Sequence, residues 1–108
     1  MATQPSPRPV REDPVRVDSR HYTVEMENEK IRIVRVRYDP HEKSVMHGHP
    51  ACVAIMLTAG RMRFTYPDGS AEDIDATPGQ VMHNPALDHL PENIGDRPFE
   101  AILVELKG

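Results

Sequence analysis

Residues 61–69 read Arg61-Met62-Arg63-Phe64-Thr65-Tyr66-Pro67-Asp68-Gly69, and this stretch decides the fold class. Met62, Phe64 and Tyr66 alternate with Arg61, Arg63 and Thr65, the period-two rhythm of a strand with one face on a core and the other in water. Phe64 is then a core residue by default. Pro67-Asp68-Gly69 closes the run with a hairpin signal, and Thr77-Pro78-Gly79 repeats it: a fixed φ followed by a residue free to take positive φ. Working outward, short β-rich runs fall at 22–26, 31–38, 45–47, 52–57, 61–66, 71–75, 80–84, 88–92 and 100–105, and no stretch sustains a 3.6-residue period. Nine short strands punctuated by turns predict an all-β sandwich or jelly-roll barrel.

The chain has 108 residues, the size of one domain, since domains commonly run ~100–150 residues. Its 38% hydrophobic and 28% charged shares are those of an ordinary folded protein. The net charge of -4, from 13 Lys+Arg against 17 Asp+Glu, gives no electrostatic reason to bind a phosphate backbone, so nucleic acid is not an expected partner. Arg32, Arg35, Arg37, Arg61 and Arg63 have Glu25, Glu27, Glu29, Glu72, Asp73 and Asp75 to pair with across strands, which predicts a solvated face of ion pairs. Cys52 is the only cysteine, which excludes an internal disulfide framework. No apolar run at the start suggests a leader or a membrane span, and the reading is a cytoplasmic protein. Residues 1–19, with Pro5, Pro7, Pro9 and Pro14, are expected to form an extended arm, either crossing onto a neighbouring subunit or fraying. Residues 20–108 are the barrel domain.

Six histidines are the compositional oddity, because imidazole is the commonest metal ligand. His47-Gly48-His49 places two rings on one face of a strand, a bidentate clip, and a third histidine from a facing strand would complete a triad with open positions. Iron, nickel, zinc, manganese and copper all accept such ligands. A second signal is His89-Leu90-Pro91-Glu92-Asn93, histidine followed four residues on by asparagine.

From Asn28 to Gly108 the chain resembles the cupin superfamily, whose motifs read G-x5-H-x-H-x3,4-E-x6-G and G-x5-P-x-G-x2-H-x3-N. His47, His49 and Gly60 match the first; Gly79, Pro85, His89 and Asn93 match the second. Val53 stands at the glutamate position, and Leu87 follows the proline where glycine is usual. The resemblance implies a jelly-roll, double-stranded β-helix barrel, usually dimeric, with one divalent transition metal at its mouth held by His47, His49 and His89. Without the glutamate the ion keeps its full double charge, so an anion becomes its natural extra ligand. The site resembles that of the three-histidine thiol dioxygenases in ligand count.

The expected function is therefore a metal-dependent enzyme on a small anionic metabolite, with dioxygenation first and lyase or isomerase chemistry next. The alternative classes are a non-catalytic small-molecule-binding module and a scaffold dimer. His83 is weighed as a further ligand, a general base or a surface histidine, and Tyr66 and Gln80 as weaker supporting candidates. Alternation from His47 points Ala51 and Val53 inward and Cys52 outward, as a buried structural thiol. Met46, Met56 and Met82 are gap fillers or pocket lining. His41 stands where the family turn carries glycine, and His21 lies outside both motifs. Metal affinity is expected to fall below a pH of about 6.5, where free imidazole protonates.

Overall fold

The computed structural model describes residues 12–108; the earlier part of the arm, with Pro5, Pro7 and Pro9, lies outside the described residues. One helical turn, α1 (Pro14–Val17), precedes nine strands: β1 (Tyr22–Glu27), β2 (Ile31–Tyr38), β3 (His47–His49), β4 (Cys52–Met56), β5 (Gly60–Thr65), β6 (Ala71–Ala76), β7 (Val81–Asn84), β8 (Leu87–Asn93) and β9 (Phe99–Leu106). All pairings between strands are antiparallel. They form a five-stranded sheet in the order β1-β2-β9-β4-β7 and a four-stranded sheet in the order β3-β8-β5-β6. This is the all-β jelly-roll arrangement.

The core lies between the sheets, built by alternation. Val34, Val36 and Tyr38 of β2, Phe99, Ala101 and Leu103 of β9, and Cys52, Ala54 and Met56 of β4 are buried, with Met62 and Ala76 from the other sheet. Outward residues of β5 and β6 pair as the sequence predicts. Arg61 meets Asp75 and Arg63 meets Asp73, both at 2.8 Å, directly opposite in register. Arg35 bonds Glu25 and Glu100. Such exposed pairs are screened by solvent and contribute little to stability. No helix among the described residues is long and apolar enough to cross a membrane.

Three local expectations are corrected. Residues 14–17 are helical rather than extended, because Pro14 sits at the first helical position, where its fixed φ suits the helix and its missing N–H is not needed. Asp13 caps the turn, accepting from the Val15 N–H at 3.1 Å. The third strand begins at His47 rather than at residue 45, since Val45 is half exposed and ladder pairing starts with His47 opposite His89. Cys52 faces inward and Val53 outward, because β3 and β4 belong to different sheets, and the Pro50-Ala51 corner between them resets the alternation. Burial raises the Cys52 thiol to about 11, so it is a packed, unreactive group.

His41 takes the left-handed conformation, φ 66°, in the turn where glycine was expected. Its N–H donates to the Asn93 carbonyl at 2.9 Å. Asn93 itself is fully buried. Its amide donates to the Tyr38 and Arg97 carbonyls at 3.1 and 2.9 Å, and its side-chain oxygen accepts from the Gly95 N–H. One side chain thus ties the end of β2 to the loop before β9. Replacing it with alanine strands several buried backbone groups, each worth ~1–3 kcal/mol when unsatisfied. Asn93→Ala is expected to lower the unfolding free energy by about 3 kcal/mol, measured by urea denaturation; a change within experimental scatter would remove Asn93 from this role.

Candidate metal centre

His47 and His89 stand directly opposite one another on β3 and β8, and His49 lies two residues along β3 on the same face. All three are buried, at 1%, 7% and 6% exposure for His47, His89 and His49. One ring nitrogen from each lies within 4.8 Å of the others. The ring centroids are 4.8, 5.0 and 4.9 Å apart and the planes nearly perpendicular in every pair. Three mutually perpendicular imidazoles converging on a point make a facial set of donors.

A hydrogen bond behind His47 selects its donor atom. The Nδ1–H of His47 donates to the Val45 carbonyl at 2.9 Å. The Ser44 hydroxyl, 3.2 Å from the same nitrogen, donates to Asp18 at 2.5 Å. The Nδ1 of His49 faces Glu105 Oε2 at 3.6 Å. With His49 in the same Nδ1–H form, its Nε2 and that of His47, 3.1 Å apart, would both present lone pairs. Two acceptors so placed repel unless a cation lies between them. Among the described residues, neither ring nitrogen of His89 has a hydrogen-bond partner. Buried polar groups normally have one, so this donor set fits a divalent ion of the imidazole-accepting kind.

The supporting residues were not among the sequence candidates. Glu105, 3% exposed, occupies the inward position after Phe99, Ala101 and Leu103 on β9; an acid on the apolar face of an alternating strand was the signal available. Arg32, expected on the solvated face, is turned inward. Its Nε donates to Glu105 at 2.7 Å, and its terminal nitrogens grip both oxygens of Asp13 at 2.9 and 3.0 Å. Burial works to raise the Glu105 carboxyl, but His49 and Arg32 outweigh it and hold it below the usual carboxylate range. His21, also outside both motifs, stacks on Tyr38 at 4.2 Å and lies between Asp18 and Glu42 at 2.8 and 3.0 Å.

The other candidates do not join the cluster. His83 is exposed and stands opposite Val53 on the outward face of the five-stranded sheet. The acid-base and ligand roles weighed for it are withdrawn, because β7 turns Met82, not His83, toward the interior. Gln80 accepts from the Thr77 N–H in a turn. Tyr66 reaches the cavity wall, with its hydroxyl donated to Glu72 at 2.8 Å. Phe64 does more than fill the core, since its ring lies 4.5 Å from that of His89. His49 and His89 form part of the wall of a cavity of about 190 Å³, whose remaining lining is mostly apolar, including Met56, Met62, Met82, Phe99 and Leu103.

Solved structures similar to the chain carry the same architecture. A cupin domain from Bordetella pertussis Tohama I is 25% identical, over 81% of this chain and 92% of that one, with a TM-score of 0.75. The chain is a cupin. A double-stranded β-helix protein from Klebsiella pneumoniae matches this cupin at 20% identity, over 81% and 76% of the two chains, with a TM-score of 0.65. An oxalate decarboxylase matches it at 24% identity and a TM-score of 0.58, over 79% of this chain but 24% of that one. No protein-family model and no curated protein matches the cupin.

Burial, followed by the neighbouring imidazoles, pushes His47 down to about 3 and His89 down to about 2. In the metal-free fold these rings are therefore neutral near pH 7. Proton competition for them begins well below the pH of about 6.5 expected from free imidazole. The acid sensitivity passes to folding. Because the folded values lie below the unfolded one, the unfolded chain takes up protons first as pH falls, so stability is lost below about 6.5. At pH 5 each ring costs about 2 kcal/mol. Metal-free protein is expected to show a falling urea midpoint between pH 7 and pH 5, with a shallower fall for His89→Gln; equal slopes for the two proteins would contradict this account.

Proposed function

We propose that this cupin holds one divalent transition metal, drawn from iron, nickel, zinc, manganese and copper, through His47, His49 and His89, and uses it to transform a small metabolite in the adjoining cavity. The observation that carries the reading is the convergence of three buried imidazoles whose remaining edges are fixed or left without protein partners. Such an ion supplies Lewis acidity to a coordinated group and, for a redox-active metal, access to dioxygen chemistry. Dioxygenation is the first reaction class, with lyase or isomerase chemistry next.

The chain's own residues limit the substrate. No lysine or arginine lines the cavity among the described residues, and the acid there, Glu72, accepts the Tyr66 hydroxyl. An anionic headgroup therefore finds its counter-charge only at the three-histidine site, where neutral ligands leave the ion's charge uncompensated. The body of the molecule meets methionine, phenylalanine and leucine. The cavity of about 190 Å³ compares with the ~150 Å³ apolar cavity that accepts benzene. These features favour a small molecule with a single anionic head and an apolar body. The oxalate named for one structural neighbour is a poor fit to this lining, because its second carboxylate would meet no cation.

The runner-up is a binding module without redox chemistry. The lining favours it in one respect: beyond His49 and His89, only Glu72 offers a carboxylate to take a proton. A cytoplasmic homodimer completes the proposal. The edge strand β1 leaves Val24 and Met26 exposed, and light scattering would give the subunit count.

Elemental analysis of purified protein is expected to find close to one transition metal per chain, falling below about a tenth of that in His47→Ala, His49→Ala and His89→Ala. Full metal content in any folded variant would remove that residue from the site. Oxygen uptake with a panel of thiols and single-headed keto acids separates the two functional classes. Uptake supports the enzyme, whereas tight binding of a panel member without turnover supports the module.

A further inference from the structure

The family's first motif carries a glutamate on the strand after the histidine pair. Here that strand offers Cys52 and Ala54 to the interior and turns Val53 outward. An acid that faces the cluster comes instead from the last strand. Glu105 lies opposite both Cys52 on β4 and Arg32 on β2 in the five-stranded sheet, facing His49 across the barrel.

Its two oxygens face different groups. Oε1 accepts from Arg32 Nε at 2.7 Å, while the other guanidinium nitrogens are taken by Asp13. Oε2 is buried and faces His49 Nδ1 at 3.6 Å, and among the described residues neither atom has a hydrogen-bond partner. A purely structural Arg32–Glu105 pair would leave a buried carboxylate oxygen aimed at a ring edge for no return, a costly arrangement. A carboxylate behind a ligating histidine fixes the ring's tautomer and orientation and raises its basicity.

We propose that Glu105 is a positioning residue of the metal centre, held by Arg32 and Asp13, which keeps the proton of His49 on Nδ1 and presents the Nε2 lone pair to the metal. The carboxylate that other cupins place on the ion acts here from behind one of its ligands. The proposal rests on the three-histidine reading above.

Glutamine at this position discriminates well. It keeps the shape but has one acceptor oxygen, which Arg32 Nε requires. Its NH2 group then points at His49 Nδ1 and demands a lone pair there, moving the ring proton to Nε2, where it blocks coordination. Loss of a carboxylate that orients a ligand lowers metal affinity ~10–100-fold.

The test has a metal-free and a metal-bound arm. In zinc-free wild type, imidazole nitrogen NMR is expected to report the Nδ1–H form for His49, and in Glu105→Gln the Nε2–H form. Zinc competition with a chromophoric chelator should then give a dissociation constant raised ~10–100-fold in Glu105→Gln, with a urea midpoint confirming that the variant is folded. An Nε2–H tautomer in wild type overturns the proposal even if the variant does not fold. So does a folded Glu105→Gln with wild-type zinc affinity, while the three-histidine site stands. Wild type that binds none of the five candidate metals overturns the site and this inference together.

Discussion

The unbroken antiparallel ladder between β2 and β9, from Ile31 opposite Leu106 to Tyr38 opposite Phe99, is the constraint on which the rest of the structure depends. Its register puts Val34, Val36 and Tyr38 on the same inner face as Phe99, Ala101 and Leu103, half of the buried cluster. A slip by one residue would turn that whole set outward. The same parity carries Arg32 and Glu105 inward at one end of the ladder. The core and the charge behind His49 are therefore two ends of one register, and a change that shifts the ladder disturbs both.

Three imidazoles packed together in the interior are costly on their own, since burial without hydrogen bonds penalises polar groups. The fold tolerates them because β3 and β8 share a short ladder that sets His47 against His89, and because aromatic rings pack on the cluster. Tyr22 lies 4.9 Å from His47 and Phe64 4.5 Å from His89. Behind Tyr22, its hydroxyl and that of Tyr38 bond at 2.7 Å, and burial raises both phenols, so they stay neutral. The cluster is walled by apolar ring faces, and an ion held there keeps its charge poorly screened.

Much of this was legible in the sequence. Eight of the nine strands, to within one residue at each end, follow from period-two alternation and turn residues, the third being placed two residues early, and the three-histidine set follows from the two motifs, because each is a local signal. What was missed is non-local. Arg32 and Glu105 are 73 residues apart and meet only through the β2–β9 register, so the arginine looked like one more member of a solvated row. Glu105 had a local signature, an acid at an inward position of β9, but only the folded barrel shows what it faces. The inversion of Cys52 and Val53 has the same origin, since alternation counted through Pro50-Ala51 fails where the chain passes from one sheet to the other. His83 is separated from the cluster by strand parity and lies at the surface, one of the placements weighed for it in the sequence.

The four-residue helix gains meaning from these connections. Its N-cap, Asp13, grips Arg32, which holds Glu105 behind His49. Asp18, at its C-terminal end, accepts from Ser44 beside His47 and bonds His21, which in turn reaches Glu42. One turn of helix thus reaches two histidines of the cluster through separate chains, in which the carboxylate bonds to Arg32 and Ser44 are charge-assisted, of the kind that are shorter and stronger than neutral ones. Such chains restrict how far a ring can rotate, which matters for a three-nitrogen site because ligand geometry, more than ligand type, decides which imidazole-binding metal is retained. The segment that composition marked as a loose arm therefore belongs, from residue 12 onward, to the architecture of the centre.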